Sequence, residues 1–390
     1  MDPRARSHPG TLSPPPRYPG SFLLALRAAL AEMQWQPRRW LGMAVECVDA
    51  NGRDQVLGLE NLYRRLRRED RANWPAGMIA ELGNDEGLTA AQRYRAHLAE
   101  DFRQMRKLLD DFQPDFIVIF GDDQYENFKE DIIPPFCVYG LDDEFELQPW
   151  ASGFFKNFPN GWGEPEDFIF KLKGHREGAK YLASGLIARG IDMPYAYKTL
   201  HHPGLATAFT NTLLYLDWDR QGFPYAVVPF HVNCYGSNVI VGKGGLDHLF
   251  KDLEQRGLPD PPGPAPWRCM EVGAEVAQTL AASPWRVVLM ASSSWSHAFL
   301  SPKNGYVWPD QESDRLLLEA LRRGDYDVWR NRTVQEIEHA GHHEMLNWMV
   351  LVGAMEKLGR TAVIHDYVES YIFASDKCFA SFPVVSSSHL

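Results

Sequence analysis

A run of apolar residues at 115–120 (DFIVIF) constrains the fold more than any other part of the chain. Every residue after Asp115 in this run is apolar, which is typical of a strand buried on both faces in a parallel sheet. A long amphipathic pattern at 89–112 precedes it and predicts a helix, with Thr89 as its N-cap and Pro114 beyond its end. A buried strand next to a long helix indicates a sheet covered by helices.

Predicted strands and helices alternate along the rest of the chain. Apolar and β-branched runs predict strands at 40–48, 132–139, 225–232, 285–291 and 361–374. Helical spacing of apolar residues predicts helices at 175–189, 206–216, 270–282, 314–323, 334–340 and 344–358. The alternation predicts an α/β fold: a single large domain with a mostly parallel central sheet flanked by helices, and an active site at the strand ends.

The chain divides into one large domain and short flanking segments. Its 390 residues, 45% of them hydrophobic, suffice for a large core. Residues 1–17 are rich in Pro, Arg and Ser, so we expect a disordered tail at 1–20. An N-terminal helix is expected at 21–39, the main domain at 40–380, and a Ser-rich tail at 381–390.

Charge and composition exclude several classes of function. The formal net charge of −11 at pH 7 argues against a nucleic acid partner, which would require a basic surface. No apolar stretch reaches the roughly 20 residues that cross a bilayer, so no membrane span is expected. The N-terminus lacks the apolar core of a secretory signal. The 5 cysteines are scattered without a CxxC pair, which indicates buried, reduced thiols and a cytoplasmic location.

Polar residues cluster where predicted strands end and where one predicted helix begins. Strand ends carry such clusters at 121–124, 231–235 and 292–297, and a further cluster opens the last predicted helix at 341–344. Because the carboxyl ends of parallel strands meet at one edge of a sheet, these clusters are expected to converge on a single pocket.

Glu344 is the strongest candidate for chemistry. It opens the apolar run at 344–358, and a buried carboxylate must be paired, protonated or bound to a metal. His297 follows a run of small residues after a strand, where it can exchange protons near neutral pH. Adjacent residues on a helix point in different directions, so His342, His343 and Glu344 cannot all bind one ion. We expect solvent to satisfy the two histidines.

Four segments together resemble the class III extradiol ring-cleavage dioxygenases, of the protocatechuate 4,5-dioxygenase catalytic-subunit type and its methylgallate dioxygenase branch. The segments are 115–140, 225–233, 290–300 and 341–355, and the resemblance extends from about Trp40 to Phe373. It implies a non-haem Fe(II) enzyme with O2 as co-substrate. It also implies a small catechol-type aromatic substrate, protocatechuate- or gallate-like, whose ring is opened beside the diol.

The resemblance gives roles to individual residues. Glu344 matches the carboxylate ligand of the iron, and His297 matches the acid/base histidine. Gln124 stands where the family has a histidine ligand, as it does in the methylgallate dioxygenase branch, and is the second metal ligand that we expect. His202 matches a further histidine that steers the substrate, although an ungapped count places Thr207 there instead.

The sequence departs from the family at the first iron ligand, because residues 42–49 (GMAVECVD) contain no histidine. Cys47 or Glu46 can replace it. Two functions therefore stay open: an active dioxygenase with an altered ligand set, and a catalytically altered or inactive relative that acts as a binding or regulatory protein. The serines at 292–294 leave metal-free hydrolysis as a third alternative, although they lack a GxSxG elbow.

Two further expectations concern what the protein binds. The family implies a homo-oligomer or a small helical partner subunit. An acidic substrate would need a cationic anchor, for which the candidates are Lys129, Lys156, Lys171 and Arg176.

Overall fold

The structure is a computed structural model that describes residues 72, 74–85, 87–123, 125–151, 162–237, 259–305 and 307–384. Several expectations fall outside these described residues: the tail at 1–20, the helix at 21–39, the strand at 40–48 with Glu46 and Cys47, and the end of the C-terminal tail from residue 385. Gln124 and Lys156 also lie outside them.

The described residues form alternating helices and strands. The helices are α1 (Ala76–Leu82), α2 (Leu88–Phe112), α3 (Arg176–Ala188), α4 (Thr207–Leu216), α5 (Pro266–Ala281), α6 (Gln311–Arg323), α7 (Tyr326–Arg330), α8 (Val334–Ala340) and α9 (Met345–Lys357). The strands are β1 (Phe116–Gly121), β2 (Phe136–Tyr139), β3 (Phe145–Leu147), β4 (Phe170–Gly174), β5 (Tyr195–Ala196), β6 (Ala226–Val232), β7 (Val287–Ala291), β8 (Val363–Val368) and β9 (Lys377–Ser381). Short 3-10 turns follow β7 at Ala298–Leu300 and Pro302–Asn304.

Strand β1 lies at the centre of the main sheet. The order along the sheet is β3-β4-β6-β1-β7, and β1 runs parallel to both β6 and β7. Every residue of β1 is buried, as its uninterrupted apolar sequence predicts. Strands β3 and β2 are antiparallel to their neighbours β4 and β6. The predicted α/β class with a mostly parallel sheet is therefore confirmed.

Strand β2 is shorter than the run at 132–139 predicted. It begins at Phe136, directly after Pro134 and Pro135. Proline cannot donate a ladder hydrogen bond, so the strand starts only where the backbone N–H groups resume. The strand is fully buried between β5 and β6.

The start of α2 also differs from its prediction. Helix α2 begins at Leu88, and Thr89 lies inside it rather than at the N-cap. The carboxylate of Asp85 accepts hydrogen bonds from the Thr89 backbone N–H at 2.9 Å and from its hydroxyl at 2.5 Å. The threonine hydroxyl therefore acts as a donor to an upstream aspartate and not as the N-cap acceptor that was expected. No helix among the described residues is both long and apolar enough to span a membrane.

The predicted final strand at 361–374 is a shorter strand, β8, followed by a turn, and β9 lies beyond the predicted range. Strand β8 ends at Val368, the chain turns, and β9 pairs antiparallel with β8 as a separate two-stranded sheet. Asp376 holds the turn, because its buried carboxylate accepts the Ser370 backbone N–H at 3.1 Å and the Tyr367 hydroxyl at 2.8 Å. Polar contacts across the turn thus interrupt an apolar pattern that reads as continuous.

The backbones of helices α9 and α5 are in contact where the two helices cross. Met345 through Met355 of α9 are all buried. A Cβ atom added at Gly353 would lie 2.1 Å from the backbone oxygen of Met270, and one added at Gly273 would lie 1.9 Å from that of Val350. Both helices therefore need glycine at this crossing, which fixes the position of α9 and of the residues that precede it.

We predict that Gly353→Ala destabilises the fold by about 1–3 kcal/mol or more, because backbone atoms cannot move aside for the added methyl group. Urea denaturation of the variant and the parent measures the change. Gly204→Ala is the control, since its Cβ would meet side-chain atoms and no backbone: Leu147 Cδ2 at 3.1 Å and His202 Nδ1 at 4.0 Å. Equal free energies of unfolding for the two variants would contradict the backbone contact.

Candidate active site

The predicted polar clusters meet at the carboxyl end of the main sheet. Strands β1, β6 and β7 run in the same direction, so the residues after them lie at one edge. The Asn347 side-chain amide, in the first turn of α9, donates to Asp122 after β1 at 3.4 Å. The Ser294 backbone N–H, after β7, donates to the Glu344 carboxylate at 3.2 Å. Two strand ends and the start of α9 therefore share one site.

Glu344 and His297 face each other at this edge. His297 Nε2 lies 3.2 Å from Glu344 Oε1, and the two side chains are 4% and 5% exposed. The carboxylate is buried as predicted, and its second oxygen accepts the Ser294 N–H. A buried imidazole beside a buried carboxylate is an arrangement that can hold a proton and pass it to a bound molecule.

His342 is held by a buried aspartate, not by solvent. Its Nε2 lies 2.7 Å from Asp314 Oδ1, and the side chains are 1% and 0% exposed. Asp314 also accepts the Ser296 hydroxyl at 2.5 Å and the Ser296 backbone N–H at 3.1 Å. The expectation that solvent satisfies His342 is therefore wrong. Asp314 instead connects the residue before His297 to a residue two positions before Glu344.

His343 is also buried, and it points elsewhere. Its ring lies against Gly236, where an added Cβ would come within 2.5 Å of His343 Cδ2. Burial lowers the pKa of His343 to about 4, although the nearby Glu344 carboxylate opposes this. The expectation that solvent satisfies His343 is wrong as well. The histidine is neutral at pH 7, and it does not point the same way as His342, as expected for adjacent residues.

A backbone hydrogen bond also connects the segment that contains His297 to the segment that contains Glu344. The His297 N–H donates to the carbonyl oxygen of Gly341 at 3.0 Å. Gly341 has a φ of 75°, and a Cβ there would lie 2.6 Å from the His297 carbonyl oxygen. Only glycine combines this left-handed conformation with so close an approach. The distance between Glu344 and His297 is therefore set by the main chain as well as by side chains.

A cavity of about 920 Å³ opens beside Glu344. The residues at 292–294 and Glu344 contribute to its polar lining, while α2, α4, β7, β9 and α9 contribute mostly apolar side chains. Lys377, at the start of β9, lines the same cavity. A mostly apolar cavity with a few polar groups is typical of a site for a small organic ligand.

Of the cations suggested by the sequence, the three that the structure describes do not line this cavity. Arg176 binds Asp142 at 2.6 Å, Lys171 is 80% exposed, and Lys129 lies over the ring of Tyr125. Lys377 Nζ donates to the Ser375 hydroxyl at 2.7 Å and to the Ser375 carbonyl oxygen at 2.5 Å. Burial lowers the pKa of Lys377 to about 7, which the neighbouring carboxylate of Asp376 partly offsets.

His202 lies in the loop before α4, where its Nδ1 accepts the Gly204 N–H at 3.2 Å. It is not among the residues that line the cavity. Thr207 begins α4, and its N–H and hydroxyl both donate to the Glu126 carboxylate, the former at 2.9 Å. The structure thus places His202 in a loop contact and Thr207 in a contact at the start of a helix.

Other polar groups near the strand ends have structural partners. Asp123 accepts the N–H groups of Glu126 and Asn127, each at 2.9 Å, and the Tyr235 hydroxyl. Burial and the nearby Glu126 carboxylate raise the pKa of Asp123 to about 6. The Ser292 hydroxyl contacts the Thr212 hydroxyl. These contacts give the hydrolase alternative no support.

Sequence reasoning missed Asp314 and Lys377. Asp314 had a readable signal: Leu317, Leu318 and Leu321 follow it at the spacing that defines the buried face of α6, and all are buried. An aspartate on such a face requires a buried partner. Lys377 had no comparable signal, because it lies at the start of β9, a strand that the sequence pattern did not predict.

We predict that Asp314→Ala destabilises the protein by roughly 3 kcal/mol, because Ser296 and His342 lose their buried partner. The free energy of unfolding in urea measures this. Glu312→Ala, on the same helix with an 88% exposed side chain, is the matched control and should change stability by no more than about 0.5 kcal/mol. A similar effect of both substitutions would show that Asp314 does not connect the two segments.

The chain shares sequence with characterised enzymes. Residues 261–379, which include His297 and Glu344, match the family model described as the catalytic LigB subunit of aromatic ring-opening dioxygenase. Three similar proteins are each named 2,3-dihydroxyphenylpropionate/2,3-dihydroxicinnamic acid 1,2-dioxygenase. The one from Photorhabdus laumondii subsp. laumondii is 26% identical over 62% of this chain and 61% of its own length. Those from Rhodococcus globerulus and Pseudomonas putida are 23% and 29% identical, over 71% and 67% of this chain and 88% and 83% of their own lengths.

Proposed function

Because the chain belongs to the class III extradiol ring-cleavage dioxygenase family, we propose that it opens the ring of a catechol-type aromatic with O2. The observation that carries the proposal is the buried pair of His297 and Glu344, 3.2 Å apart, beside a cavity of ligand size. Both residues lie within the segment that matches the family model. Protocatechuate- and gallate-like catechols are the substrates that we propose first, and dihydroxyphenylpropionate is added from the names of the relatives.

The iron that the family implies fits the described residues only in part. Glu344 offers a carboxylate, and Fe(II) sites in such oxygenases take nitrogen and carboxylate ligands. Among the described residues, however, the cluster of three or more metal-binding side chains that the structure contains lies elsewhere, not around Glu344. Gln124 and one of Glu46 or Cys47 would have to complete the site. We propose that Glu344 and Gln124 hold Fe(II).

The protein's own residues support proton transfer and the exclusion of water from the bound substrate. We propose that His297 takes a proton from a substrate hydroxyl and returns it later, because its buried imidazole lies 3.2 Å from Glu344, which lines the cavity. Asp314 acts on Ser296 and His342, so it is a positioning residue rather than a catalytic one. The apolar walls from α2 and α9 suit the flat face of an aromatic ring.

Metal analysis tests the proposal. Protein purified anaerobically and offered Fe(II) should hold about one iron at this site, and Glu344→Ala should lose it, since the variant lacks the carboxylate ligand. A panel of catechols, scored for yellow ring-opened product, then tests turnover. Iron bound equally by the parent and by Glu344→Ala would contradict the assigned ligand.

A binding or regulatory role is the second candidate. The small number of metal-binding side chains around Glu344 among the described residues favours it. No iron in the parent and no ring-opened product, together with saturable binding of a catechol, would establish this role and exclude the dioxygenase.

We further infer that the preferred substrate carries an anionic group, because Lys377 lines the cavity that Glu344 lines. Lys377→Met should raise KM for a carboxylated catechol roughly tenfold, equivalent to about 1.4 kcal/mol, and leave unsubstituted catechol nearly unchanged. The pKa of Lys377 is lowered to about 7. The ammonium therefore persists below that pH and is lost above it.

The parent enzyme's preference for carboxylated over unsubstituted catechol should consequently fall as the pH rises through about 7. The Lys377→Met variant should show no such trend. Steady-state KM values for both substrates between pH 6 and pH 9 measure this. A preference that is independent of pH in the parent would contradict the role of Lys377.

A further inference from the structure

A second group of metal-binding side chains lies away from Glu344, between α2 and β8. His97 and Asp101 are four residues apart on α2, so both project from one face of the helix. Asp366 lies opposite them on β8. One potential ligand atom from each of the three side chains lies within 4.8 Å of the other two. Nothing in the proposed chemistry uses these residues.

The geometry brings one imidazole nitrogen and two carboxylate oxygens together. His97 Nε2 is 2.5 Å from Asp366 Oδ2 and 3.9 Å from Asp101 Oδ2. The other oxygen of Asp366 accepts the Tyr367 backbone N–H at 2.8 Å, which leaves Oδ2 to face the group. To hold a zinc ion at about 2.0–2.2 Å from each ligand atom, His97 Nε2 and Asp366 Oδ2 must move apart from their 2.5 Å contact, and Asp101 Oδ2 must move closer to His97 than 3.9 Å.

Asp101 gives an independent indication of a ligand. Its side chain is only 8% exposed, and its buried Oδ2 atom has no hydrogen-bond partner among the described residues. That oxygen faces His97 and Asp366. Burial and the adjacent Asp366 carboxylate raise the pKa of Asp101 to about 7, while His97 opposes the shift. Two carboxylates this close repel each other unless a proton or a cation lies between them.

The register of β8 contributes to the arrangement. The pairing of β8 with β9 shifts between Ile364 and Asp366, so the regular alternation of side chains is interrupted there. Such irregularities commonly redirect a side chain. His97 is 51% exposed and Asp366 is 26% exposed, so a cation can enter from solvent and keep water as a further ligand.

We propose that His97, Asp101 and Asp366 bind a divalent transition-metal ion of the Zn²⁺ type, which connects α2 to the β8–β9 hairpin. The mixture of imidazole and carboxylate ligands selects this class, because Mg²⁺ and Ca²⁺ are bound by oxygen ligands. Helix α2 and strand β9 both line the cavity beside Glu344. The ion therefore fixes two walls of that cavity relative to each other without entering it.

The test uses the full-length chain carrying Glu344→Ala, so that the candidate catalytic site does not contribute. Calorimetric titration with Zn²⁺ should give one site per chain, and Zn²⁺ should raise Tm because it binds the folded state. Adding His97→Ala should weaken binding roughly tenfold or more and remove the rise in Tm. His97 is half exposed, so this substitution leaves the core intact.

His365→Ala is the matched control, because His365 neighbours Asp366 but bonds to Gln104 and Ser381 outside the group. It should bind Zn²⁺ as the Glu344→Ala parent does. Asp101→Asn, with folding checked by circular dichroism, should weaken binding as His97→Ala does. Unchanged binding in His97→Ala, or no binding in the parent, would overturn the proposal. Equal affinity for Mg²⁺ would overturn the choice of ion.

This experiment is independent of the proposed ring-opening activity. Its failure would leave the iron analysis at Glu344 unaffected. Its success has one consequence for that analysis, because Fe(II) also accepts imidazole and carboxylate ligands. Iron should then be counted in a His97→Ala background, where only the Glu344 site remains.

Discussion

The buried carboxylate of Asp314 is the contact on which the arrangement of the site depends. It lies on α6, outside both segments that carry the candidate chemistry, and it binds Ser296 on one side and His342 on the other. A charged group with no exposed surface is tolerated only when its oxygens are fully used. Here the residues that use them flank His297 and Glu344. By binding both neighbours, Asp314 fixes the distance between the His297 and Glu344 side chains.

Contacts of the main chain, the sheet and helix α9 also fix the distance between His297 and Glu344. The main chain contributes through Gly341, whose left-handed conformation lets its carbonyl oxygen accept the His297 N–H. The sheet contributes through β7, which leads directly to the Ser294 N–H that binds Glu344. Helix α9 is held in turn by its glycine contact with α5. Each of these contacts constrains a different atom, so main-chain contacts position the pair together with the side-chain contacts of Asp314.

The sequence predicted the α/β architecture and the burial of Glu344. The apolar run of β1, the helices on either side and the burial of Glu344 all follow from periodicity, which is a local property. The partners of His342 and the position of Lys377 depend on contacts between distant parts of the chain, and local patterns do not encode them. The roles of His202 and Gln124 rest on family resemblance alone: the former lies in a loop away from the cavity lining, and the latter lies outside the described residues.

The glycine contact between α5 and α9 has a consequence for redesign of the cavity. Because the two backbones touch, the helices behave as one block, and a larger side chain on that block would push against main chain rather than against a neighbouring rotamer. The opposite wall is built differently: Phe102 and Met105 of α2 face the cavity through side chains. Substitutions that change the size of the accepted ligand should therefore be made on α2, where methionine in particular can adapt its shape. Helix α9 should keep its position in such variants.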